Sequence, residues 1–102
     1  MTFRERIDRV KDAVDIESVV LKVGGDIRFS YGDWQKTHCP FHDDQIASAA
    51  TNMVAGVFTC HVCDVHGDVV SVARFYLEME EGDGSMGRAL EWLEEMGGLV
   101  DE

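Results

Sequence analysis

Apolar residues recur every three to four positions at both ends of the chain and roughly every second position in its middle, which predicts helices flanking a β-rich centre. Near the start, Ile7, Val10 and Val14 fall on one helical face, and Thr2 with Glu5 three residues later has the spacing of a capping box. A first helix is predicted to about Val14. Asp15 then caps a short second helix with Ile16, Val19, Val20 and Val23 on its apolar side, ended by Gly24-Gly25.

From Ile27 to Phe58 the period shortens. Ile27 and Phe29 alternate, Tyr31-Gly32-Asp33 forms a turn, and Trp34 to Thr37 makes a further strand. Ala47–Thr51 and Val54–Thr59 read as two more strands around a turn near Asn52 and Gly56. Helical spacing returns after Gly67-Asp68. Asp68 is a good N-cap, and Val69, Val72, Ala73, Tyr76 and Leu77 make the inward stripe of a helix to about Met79. An acidic loop, Glu80 to Gly84, separates it from a last helix capped by Ser85, with Ala89, Leu90, Leu93 and Met96 inward and Gly97-Gly98 as the stop. The expected fold class is α+β: a small twisted antiparallel sheet over about 27–68, flanked by N-terminal and C-terminal helices. Residues 1–102 are expected to form one such domain, without internal repeats or low-complexity tracts.

A metal expectation rests on four positions. Cys39 and His42 form one pair with two residues between them; Cys60 and Cys63 form another, with seventeen residues between His42 and Cys60. Each pair turns tightly enough to bring two donors to one side of an ion, and the gap brings the second pair to the other side. Three cysteines cannot all be paired as disulfides, whereas three thiolates and one imidazole complete a tetrahedral Zn²⁺ site. Three buried free thiols are the plainer alternative. A redox Cys-x-x-Cys lacks the βαβ surroundings such a motif has. His38 and His61 directly neighbour ligands, so their side chains should diverge from the metal, and His66 could serve only by displacing a better-spaced donor. A closed four-ligand site keeps no position open for water, so one structural Zn²⁺ is expected, not a catalytic one. In a chain of 102 residues the core is small, and the metal is expected to be part of its folding free energy.

Twenty acids against nine bases give a net charge of −11. Residues 1–23 are balanced, residues 24–68 hold six acids and two bases, and residues 69–102 hold nine acids and two bases. Such a balance argues against binding nucleic acid by charge alone. It fits a halophilic host, in whose salt an acidic surface with only three lysines (Lys11, Lys22, Lys36) stays soluble, or else an acidic face for a protein partner. No apolar run approaches a membrane span and no signal peptide opens the chain, so no membrane association and a cytoplasmic location are expected.

The string Cys39-Pro40-Phe41-His42, its gap to Cys60-x-x-Cys63, and Gly67-Asp68 opening a helix resemble the N-terminal zinc-binding domain of bacterial-type DNA primases. The resemblance runs from about Ile7 to Met96. It includes Gly32 seven residues before the first cysteine, Phe58 two before the third ligand, and a closing Ala89-x-x-x-Leu93 helix. It implies a zinc ribbon that recognises single-stranded template during DNA replication, beside a separate TOPRIM-type catalytic domain of which this sequence shows nothing. The chain departs from the family at Gln45-Ile46-Ala47-Ser48-Ala49, in place of a Lys-Thr-Pro-Ser-Phe run, and at Asp64, in place of a glycine.

Both departures fall on the surface the resemblance assigns to DNA. The remaining candidates for nucleic-acid contact are the bases Arg28, Lys36 and Arg74, with Tyr31 and Trp34 as stacking surfaces; stacking tolerates salt better than phosphate contact does. The expected function is a non-catalytic zinc module that binds single-stranded DNA, with a separate primase catalytic chain, a helicase or another replication protein as possible partners. Two alternatives use the same fold: an acidic adaptor whose C-terminal face (Glu78, Glu80, Glu91, Glu94) meets a replication or transcription protein, and an acidic mimic of DNA.

Overall fold

The computed structural model describes residues 2–42 and 48–99, with the backbone alone for residues 28–31. Ala47, with which the third strand was expected to begin, lies outside the described residues, as do the departures at Gln45 and Ile46.

The first helix, α1 (Phe3–Ala13), starts with the capping box read from the sequence: Thr2 accepts from the Glu5 N–H, and the Glu5 carboxylate reaches back. Asp15 accepts from the Ser18 N–H and starts α2 (Ile16–Lys22), which buries Ile16, Val19 and Val20. Five strands then form one antiparallel sheet in chain order: β1 (Asp26–Tyr31), β2 (Trp34–His38), β3 (Ala49–Asn52), β4 (Val57–Cys60) and β5 (Val65–Gly67). β1 continues to Tyr31, so the first hairpin turns on Gly32 and Asp33 alone, with Gly32 at φ 63°. At the β3–β4 turn the Asn52 side chain accepts from the Val54 and Ala55 N–H groups.

The strand β5 was not foreseen. Three residues are too few to show alternation, and they stand between a metal knuckle and a helix cap. α3 (Val69–Glu81) begins at Asp68, which accepts from the Val70 and Ser71 N–H groups, and runs two residues past Met79. Glu80 and Glu81 are exposed and do not oppose a helix; Gly82, at φ 71°, ends it, with its own N–H and that of Asp83 returning to the Glu78 and Leu77 carbonyls. α4 (Met86–Met96) follows from the Ser85 cap and stops at Gly97.

The sheet has one buried face. Thr37, Ala49, Cys60 and Val65 stand opposite one another across β2 to β5, and all four are buried. This row and Phe58 pack against α2 and α3, and α1 and α4 close the helical layer behind. The core unites Val10, Val19, Val20, Phe58, Val72, Leu77, Leu90 and Leu93. Ile7, Tyr76 and Met96, all expected inside, are half-buried at its rim, whereas Val70 is buried without having been singled out. Among the described residues no helix is long and apolar enough to cross a membrane.

Candidate metal centre

Cys39 follows directly on β2, and Cys60 ends β4, so the two ladders deliver both knuckles to the same end of the sheet. The first knuckle is anchored by Phe41, which meets Phe58 edge-on with 6.1 Å between ring centroids and Phe75 of α3 with 4.8 Å. The aromatic in Cys39-Pro40-Phe41-His42 therefore fixes the ligand pair to the core. The second knuckle is the β4–β5 turn. It ends at Asp64, the single non-glycine residue with positive φ (57°) among the described residues. A residue there must adopt the left-handed conformation, which is the physical reason that glycine suits the position and that aspartate, which tolerates αL better than most residues, can replace it.

The donor atoms of Cys39, His42, Cys60 and Cys63 all lie within 4.8 Å of one another. Cys39 Sγ is 3.5 Å from Cys63 Sγ, and Cys60 Sγ is 3.4 Å from His42 Nε2. A tetrahedron of thiolates around Zn²⁺ at about 2.3 Å has edges of about 3.8 Å, so these spacings are those of a zinc site. His38, His61 and His66 stand outside the cluster.

The surrounding backbone is built for anionic sulfur. Burial works against the Cys60 thiolate, but the Cys63 N–H, His42, Ser48 and the Val62 N–H together outweigh it and bring this thiol down to about 6. Burial pushes the Cys39 thiol well up against a single opposing N–H from Phe41, and it raises Cys63 as well. Ser48 was not foreseen as part of the site. Its hydroxyl lies 3.2 Å from His42 Nε2 and 3.7 Å from Cys60 Sγ, a proximity that no sequence spacing announces.

Residues 2–97 match the CHC2 zinc finger, the zinc ribbon of DnaG. The chain belongs to this family. Among its relatives, gene 58 protein of Mycobacterium phage D29 is 45% identical over 42 residues, which are 41% of this chain and 33% of that protein. The DNA primase of Helicobacter pylori strain J99 is 33% identical over 81 residues, 79% of this chain and 14% of the primase. The Aquifex aeolicus primase structure, which holds zinc-binding and RNA polymerase domains, superposes with a TM-score of 0.69 at 25% identity, over 95% of this chain and 22% of that one. The chain thus spans between a seventh and a third of the length of these relatives. A CHC2 zinc finger with three cysteines and one histidine gathered in this way fits one structural Zn²⁺.

The nucleic-acid candidates fall in two places. Trp34 and Lys36 stand two residues apart on β2, both exposed, on the sheet face turned away from the helices. Trp34 is 37% exposed, not the core residue that its size would suggest. The backbone of Tyr31 pairs with Trp34 across the hairpin; the side chains of Arg28 and Tyr31 lie outside the described residues. Arg74 is elsewhere, on α3, where its Nε donates to the Gly84 carbonyl at 2.9 Å. Of the acids expected to ring an adaptor face, Glu94 is held by Arg6 and Glu78 accepts from the Gly84 N–H.

Proposed function

We propose that this protein is a primase-type zinc module of 1–102 that binds single-stranded DNA on the outer face of its ribbon sheet and performs no nucleotide chemistry itself. The observation that carries the reading is Trp34, a large aromatic left exposed beside Lys36 on a sheet face that none of the described helices covers, in a chain of the CHC2 zinc finger family. A base can stack on such a ring whatever its sequence, and stacking persists in the salt that screens phosphate contacts. Zinc holds the knuckles at one end of this face and so sets its shape.

A closed Cys₃His centre has no open coordination position to activate water or a nucleotide, which supports a structural and binding role. Priming then belongs to a catalytic chain or domain working beside this one, with a helicase or another replication protein as a further partner. The phage relative supports a virus-encoded origin and, with it, work in the cytoplasm during genome replication.

Fluorescence titration with single- and double-stranded oligonucleotides tests the reading. Single strands should bind more tightly, and Trp34→Ala should weaken binding by about 1–3 kcal/mol while keeping its zinc. With Arg74 elsewhere, Arg28 and Lys36 remain as candidate bases, and log affinity should fall with log salt no more steeply than about −1.4, from roughly 0.7 per phosphate contact. Absence of binding by the wild type at hundreds of micromolar, in low and in high salt, would remove the reading.

A further inference from the structure

The ladders align one outward row across four strands. Lys36 pairs with Ala50, Ala50 with Thr59, and Thr59 with His66. Residues directly opposite in a ladder share a face, and the next row towards the metal, from Thr37 to Val65, points into the core. Lys36 and His66 are exposed, while Ala50 and Thr59 between them are small and half-buried. The row is therefore a shallow trough with a tall side chain at each end, about 14 Å long for three strand spacings. Trp34 stands beside its β2 end, in the neighbouring row with Asn52 and Val57.

Charge marks the same row. The chain carries twenty acids, yet β2 to β5 contain no Asp or Glu at all. The nearest in sequence are Asp33, in the turn before β2, Asp64, in the knuckle before β5, and Asp68, directly after β5, whose carboxylate is taken up by the Val70 and Ser71 N–H groups at the start of α3 and by Lys11. His66 is not needed by the metal, since the four donors gathered at the site are Cys39, His42, Cys60 and Cys63.

We propose that the bound single strand crosses β2 to β5 along this trough, with His66 as its second anchor at the end opposite Lys36 and Trp34. The inference rests on the single-strand-binding reading above and adds the path. An imidazole can stack on a base or donate to a phosphate, and a four-stranded sheet has room for two or three bases, as in the sheet-based RNA readers.

The test is fluorescence anisotropy of a labelled single-stranded oligonucleotide with the zinc-loaded protein and with His66→Ala, Thr59→Glu, Trp34→Ala and Leu21→Glu. His66→Ala should weaken binding roughly fivefold or more, as loss of a base stack does. Thr59→Glu, which sets a carboxylate in mid-trough, should weaken it at least as much. Leu21→Glu adds the same charge on the exposed side of α2 and should stay within about twofold. If Thr59→Glu loses its zinc, His66→Glu at the exposed end of the row replaces it. His66→Ala within twofold of the wild type, while Trp34→Ala weakens binding, overturns the path and leaves the single-strand reading standing. A wild type that binds no oligonucleotide removes both.

Discussion

Thr37 Oγ1 and Thr51 Oγ1 lie 2.8 Å apart in the interior, joining β2 to β3 through a side-chain bond between two wholly buried residues. Thr37 donates its one hydroxyl proton to the Gln35 carbonyl at 3.0 Å, so Thr51 is the donor of the pair. The polarity of this contact makes the two positions unequal, although their chemistry is the same.

Replacing Thr37 with valine should strand the Thr51 hydroxyl in the core and cost about 1–3 kcal/mol. Thr51→Val leaves Thr37 still bonded to Gln35 and should cost less. The double variant should recover part of the Thr37→Val loss, because no unpaired hydroxyl remains. Urea unfolding of the three variants measures this; equal single costs would contradict the assigned donor.

Metal uptake should release protons. Cys60 is largely ionised at neutral pH, with its thiol near 6, but burial keeps Cys39 and Cys63 protonated until zinc displaces their protons. At pH 7.5 about two protons should leave per zinc bound, which calorimetry in buffers of different ionisation enthalpy would count. The Cys60 shift also fixes a pH limit. A depressed thiol stabilises the fold fully above its ordinary range near 9, and that contribution is lost as pH falls through about 6. Zinc retention should therefore fail on acidification, not on mild alkalinisation.

Asp64 should respond to backbone geometry more than to charge. Asp64→Gly suits φ 57° and should leave thermal stability unchanged or slightly higher. Asp64→Val should lower it by about 1–2 kcal/mol, since a β-branched residue is strained in the left-handed region. Thermal unfolding of both variants with zinc bound separates them; equal effects would mean that the carboxylate itself matters.

Salt should stabilise the protein. With a net charge of −11, mutual repulsion of the carboxylates is strongest in dilute buffer and is screened as ionic strength rises. The unfolding midpoint is expected to climb from dilute buffer to molar KCl. A flat or falling midpoint would shift the meaning of the acidity from a salt-loving surface towards a docking face.

The parts legible in the sequence were those with a strong local signal. Thr2, Asp15, Asp68 and Ser85 each cap the helix expected of them, and the two ligand pairs converge as their spacing implied. What escaped was set by tertiary pairing. Val65–Gly67 is a strand only because β4 lies beside it, and Ser48 reaches Cys60 only because β3 and β4 are in register. Arg74 illustrates the opposite failure: a base near the ribbon in sequence faces the α3–α4 link in space. Spacing places residues on an element, but not elements on one another.

Arg6 grips both carboxylate oxygens of Glu94, at 2.7 and 3.0 Å, and so clasps the first helix to the last across 88 positions of chain. Both ends of the domain are thereby mounted on its back plate, behind the layer that supports the ribbon. Anything joined at either end, whether a purification tag, a linker or a neighbouring enzyme, would hang from that plate and leave the face with Trp34 and His66 pointing outward. The module can be tethered from either side without covering the face proposed for single-stranded DNA.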